Sequence, residues 1–146
     1  MLEKYRKRIA PYPFEWFPDG YDLNEEEDRH YFLKEIEEAK NALELLKEFL
    51  EDYEEIKREA EKKYPEMLFV VGTNEVVGGY ILICWYPYEF RLSIPDRLYN
   101  AVSKKLNLLD LMEKKRLDVV VEAVIEEIEK DLKRAEHLLE SEGGRV

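Results

Sequence analysis

The feature that most constrains this chain is an apolar stripe about forty residues long near its N-terminus. Phe32, Ile36, Ala39, Leu43, Leu46, Leu50, Tyr53, Ala60 and Tyr64 alternate at spacings of four and three, broken only by Lys57. That rhythm puts one apolar seam on one side of a helix. Ala42, Leu45, Phe49 and Ile56 form a second row that widens it. Asn24 with Glu27 fits a capping box at the start, Lys62 and Lys63 fall in the last turn, and Pro65 stops the run. A helix over 24–63 would be roughly 60 Å long, more than a domain of this size spans, so it needs a second long helix to lie against. That partner lies in the same chain or in a second one, and the last third carries a candidate. Leu117, Val121, Val124, Ile128, Ala135 and Leu138 repeat the pattern over about 118–142, closed by Gly143-Gly144.

Between the two stripes the period changes. Met67–Val71 reads as a strand, Gly72–Glu75 as a turn, Val76–Tyr86 as a second strand with Gly78-Gly79 marking a bulge, and Phe90–Ile94 as a third. Pro95-Asp96 opens a short helix to about Leu106, while 107–116 fits a loop or a helical turn equally well. The expected fold is α+β: two long amphipathic helices flanking a three-stranded antiparallel meander, plus a short helix. The chain is short enough to be one domain. It divides into an aromatic, proline-rich arm (1–21), a long acidic helix (22–64), the meander (67–94) and a helical segment (95–142).

The net charge of −11 is uneven: −9 over residues 1–88 and −2 over 89–146. The first helix should therefore repel polyanions, leaving the second half and the N-terminal basic residues Lys4, Arg6, Lys7 and Arg8 as the places where nucleic acid could approach. The chain has no Gln, one Thr and abundant Glu and Lys, a composition resembling that of heat-adapted proteins. Cys84 is the single cysteine, so no intrachain disulfide forms, and its apolar setting points to a buried structural thiol. The N-terminus has no apolar signal segment, and the run Tyr80–Tyr86 is too short to span a bilayer, so a cytoplasmic protein without membrane association is expected.

The chemistry-bearing motifs are few. There is no phosphate-binding glycine loop, no cysteine pair for zinc and no Gly-x-Ser-x-Gly elbow, which argues against an enzyme and for the absence of a cofactor. Glu27 and His30 stand three apart on one helical face, as in carboxylate-bridged bundles, and His137 with Glu140 repeats the spacing in reverse. These four are weak metal candidates, with exposed helix-end histidines as the ordinary reading. In the arm, Tyr12, Phe14, Trp16 and Phe17 form an aromatic cluster that either packs on the body or docks a protein partner.

The run Glu89–Val102, an alternating strand followed by Pro95-Asp96 and a helix with Leu98 three residues after the proline, resembles the ribbon-helix-helix family of DNA-binding regulators. Lys115–Glu126 is similar to the opening of that family's second helix. The resemblance implies a dimer whose paired strands enter the major groove of duplex DNA. It implies that Arg91 and Ser93 face bases, and that Lys114, Lys115 and Arg116 sit near phosphates at a helix start. The competing expectation is an acidic helical module that binds a protein partner or a second copy of itself without nucleic acid.

Overall fold

The structure is a computed structural model and describes residues 2–5, 9–11, 17–63, 68–77, 80–86, 90–114 and 116–143. In chain order the elements are α1 (Leu2–Tyr5), β1 (Ile9–Pro11), α2 (Glu26–Glu51), α3 (Tyr53–Lys63), β2 (Leu68–Val77), β3 (Tyr80–Tyr86), β4 (Phe90–Pro95), α4 (Asp96–Lys105), α5 (Leu108–Glu113) and α6 (Leu117–Gly143).

The α+β expectation is corrected: the fold is mostly helical, and its described core is a helical one. Among the side chains whose burial is described, every buried apolar one lies on a helix or in the turn 17–23. The two long stripes lie against each other, α2 on α6, so the long helix finds the partner it requires within the same chain. The direction of packing follows from the ties at each end. Near the start of α2, Phe17 packs on Phe32 and its neighbour Asp19 holds Arg134, late in α6. At the other end, Tyr53, the first residue of α3, lies beside Leu117 and Asp118, the first residues of α6. The helices therefore run antiparallel.

The buried seam of α2–α3 is rotated relative to the stripe read from the sequence. Phe32, Ile36, Ala39, Leu46 and Tyr53 are buried as expected, but Leu43 and Leu50 reach only its margin. Their places are taken by the second row, Glu35, Ala42, Phe49 and Ile56, which recur at seven-residue intervals. Alternating rows of this kind give a wide apolar face suited to a globular core. Helix α6 answers with an equally broad face: Leu117, Val120, Val121, Val124, Ile125, Ile128, Leu132 and Ala135. Helix α4 adds Leu98 and Val102.

Nor is the expected unbroken helix over 24–63 present. It is interrupted at Asp52, whose backbone (φ −90°, ψ 0°) leaves the helical region. The hydrogen-bond ladder nearly bridges the break, with Asp52 N–H donating to Glu48 O and Ile56 N–H to Asp52 O. The expected capping box is absent as well. The N-cap is Glu25, without a side-chain cap bond; Asp22 Oδ1 accepts from the Asn24 amide, and the Asp22 amide donates to Asp28.

The strands also differ from the three expected. They make a four-stranded sheet in the order β1-β4-β3-β2, because the short β1 from the N-terminal arm runs parallel beside β4, Ile9 opposite Arg91. Strand β2 continues through the predicted turn at Gly72–Glu75, which becomes an irregularity between Val71 and Val76. Val77 pairs with Tyr80 across the antiparallel ladder, and Gly78-Gly79, expected as a bulge, lie outside the described residues. The ambiguous stretch 107–116 contains α5.

Candidate functional site

Three polar nodes fasten the N-terminal segment to the helical body. The first is built on α4 and α6. Asp131 falls on the apolar face of α6, between Ile128 and Ala135, and is buried. Its partner Arg97 reaches from the first turn of α4: Nη1 donates to Oδ1 and Nη2 to Oδ2, both at 2.9 Å, the two-pronged geometry a guanidinium offers a carboxylate. The same Nη2 also donates to the carbonyl of Phe17 at 2.7 Å. One turn further along α6, Arg134 grips Asp19 through its side edge, Nη2 donating to Oδ1 at 2.7 Å and Nε to Oδ1 at 3.1 Å. The turn that opens with the cis Phe17-Pro18 bond is thus held by two arginines.

The second node is Glu35. It is 8% exposed, in the buried row of α2, with the Tyr21 and Phe32 rings nearby, tilted at 53° with centroids 5.1 Å apart. The Tyr21 hydroxyl donates to Oε2. Burial, then the neighbouring charge of Glu38, pushes the Glu35 carboxyl up to about 7. A charge in so dry a place loses more hydration than one hydroxyl returns.

The third node sits at the α2–α3 break. Tyr5, completely buried, meets Phe49 edge-on at 5.4 Å and donates its hydroxyl to Asp52 Oδ2 at 2.6 Å. Lys4 joins with Nζ 2.7 Å from Glu48 and 3.1 Å from Asp52. These donors, Tyr5 first and then Lys4, hold the Asp52 carboxyl below the usual range. Burial and the bond to Asp52 push the Tyr5 hydroxyl well above its ordinary value.

The residues singled out by sequence are scattered. Arg91 and Ser93 lie on β4, which is paired on both edges: Arg91 stands opposite Ile9 on one side and Cys84 on the other, Ser93 opposite Pro11 and Leu82. Their side chains lie outside the described part of the structure. Lys114 pairs with Asp110 at 2.9 Å. Arg116 grips Asp118 through Nε and Nη2, at 3.0 and 3.1 Å. Lys115 lies outside the described residues, as do Tyr12, Phe14 and Trp16. Phe17 is only 1% exposed, so as a member of the docking cluster it is corrected: it belongs to the core. Glu27 and His30 share a shallow groove with Glu26 and Tyr31, while His137 and Glu140 are exposed near the end of α6. Among the described residues no group of three or more histidine, cysteine or acidic side chains could hold a metal ion.

Sequence reading missed the three nodes, although two left a trace. Asp131 and Glu35 are carboxylates at positions where the helical repeat calls for an apolar residue, which is the signature of a partnered buried acid. Nothing local announces Tyr5 and Asp52, 47 residues apart. Among the described residues, no helix is long and apolar enough to cross a membrane. Comparison of the chain with family models, with curated proteins and with solved structures finds no match.

Proposed function

We propose that this chain is a non-enzymatic interaction protein whose acidic helical face takes a basic protein partner. The observation that carries this reading is where the charges are spent. Beside the start of α6, the two described basic side chains that would meet phosphates are engaged by carboxylates of the same segment, Lys114 by Asp110 and Arg116 by Asp118. On α2–α3, Glu37, Glu44, Glu51 and Glu55 recur at helical spacing and are exposed. A stripe of one sign steers a partner of the other. The position of β4 supports the same reading, since a two-chain ribbon needs a strand with a free edge and β4 has neighbours on both sides.

The test sets the two partners side by side. Labelled duplex DNA titrated with micromolar protein at low salt is expected to show no binding. Binding that falls steeply with salt and is lost in Arg91→Ala would overturn the proposal in favour of the ribbon-helix-helix reading. A lysine-rich peptide is expected to bind in a salt-sensitive manner and to weaken when Glu44, Glu51 and Glu55 are all changed to Gln. Equal affinity in that variant would remove the acidic stripe from the proposal.

A further inference from the structure

The sheet has two outer edges, one on β1 and one on β2, and they are unequal. Strand β1 is three residues long, ends at Pro11, which has no amide hydrogen to donate, and lies against α2. Strand β2 is ten residues long and, among the described strands, pairs only with β3. Its first half is regular: Leu68, Phe69, Val70 and Val71 stand opposite Tyr86, Trp85, Cys84 and Ile83. Beyond Val71 the register breaks.

An outer edge offers a row of backbone donors and acceptors to any extended chain. Proteins that need to stay apart blunt such edges with Lys, Pro, bulges or short length. Leu68–Val71 carries none of these devices. The charge distribution says what would come to it. Over residues 67–88 a chain of net charge −11 holds a single charged side chain, Glu75. A copy approaching the acidic helices is repelled, whereas a copy approaching this end of the sheet is not. A neutral edge also gives a charged peptide nothing to select, while an antiparallel strand paired with its own copy closes on a two-fold axis.

We infer that two copies of this chain dimerise by antiparallel pairing of the Leu68–Val71 edge of β2, joining two four-stranded sheets into one. The inference stands apart from the basic-partner reading, because the acidic stripe plays no part in it. Its competitor within the chain is α5, which packs against β2.

The experiment combines sedimentation velocity over a wide concentration range with amide hydrogen exchange of the same samples. A concentration-dependent dimer is expected, with alternate amides of Leu68–Val71 protected in concentrated samples and exposed on dilution. Phe69→Lys, checked for native helicity by circular dichroism, is expected to weaken the dimer by about tenfold or more, as a gatekeeping lysine on an edge does. A monomer at every concentration would overturn the inference. So would a dimer in which exchange of 68–71 is indifferent to dilution, since the contact would then lie elsewhere. Should Phe69→Lys fail to fold, the exchange pattern of the native chain decides the matter.

Discussion

Glu35 shows how one side chain ties stability to pH. Its folded carboxyl titrates near 7, against an ordinary value of 4.5, because burial and Glu38 oppose its charge. As pH rises from 4.5, the unfolded chain gives up this proton first. The folded state keeps it, so stability falls with rising pH until both states are ionised near and above 7. Glu35→Gln removes the titration while leaving an oxygen for the Tyr21 hydroxyl. Urea denaturation is expected to find the variant more stable than the native chain at pH 8 by about 1–3 kcal/mol, with the difference vanishing near pH 4. A constant difference across that range would mean that Glu35 is not the titrating group. Asp131, a second acid in an apolar row, is met instead by Arg97, which supplies both a charge and two hydrogen bonds.

Among the elements, α1 depends most on a single contact. A helix of four residues has almost no stability of its own. It is held by Tyr5 against Phe49 and Asp52, with Lys4 alongside. Tyr5→Phe keeps the ring and removes the donor. Amides of α1 are expected to exchange severalfold faster in that variant, with those of α2 and α6 unchanged. Because the Asp52 carboxyl is held below its usual range, its contribution is present above the ordinary carboxylate range and lost as pH falls through the lowered value. Acid should therefore loosen α1 in the native chain more than in Tyr5→Phe. An element of this kind also marks what a sequence can and cannot disclose. The long helices were legible because their signal is local: apolar residues at spacings of three and four, with Pro65 beyond the first and Gly143 at the end of the second. That they pair within one chain, the break at Asp52 and the parallel partner of β4 were not. Each is decided by a residue far away in sequence, and periodicity carries no information about which face meets which. The turn at Gly72–Glu75 was misplaced for a related reason, since glycine and asparagine suit an irregular strand as well as a reversal. Of the candidate site residues, Phe17 was legible as aromatic but not as core, because its burial depends on Phe32 and on the cradle made by Arg97.

At the scale of the molecule, the N-terminal segment is a structural part of the helical body. Tyr5 and Phe17 are both fully buried, and Arg97 and Arg134 are engaged by the segment between 17 and 19. Removal of residues 1–20 strips two aromatic rings from the core and leaves Phe32 and Phe49 uncovered. The expected loss is on the order of 5 kcal/mol, read as a lower thermal midpoint with retained helicity if the remainder still folds. A truncated chain as stable as the full one would show that the segment is a detachable arm.

The cradle around Phe17 carries a consequence for how the chain comes into being. The carbonyl of Phe17 waits for a guanidinium 80 residues downstream, and Asp19 for one 115 residues downstream. During synthesis this segment is thus made well before the two arginines that seat it. Closing so long a loop is entropically modest, each doubling of length costing roughly 0.6 kcal/mol. The exposure is a matter of time: an aromatic-rich stretch stays unsheltered on the ribosome until most of α6 has emerged, and that interval is when the nascent chain is most open to misassociation or to a chaperone's grasp.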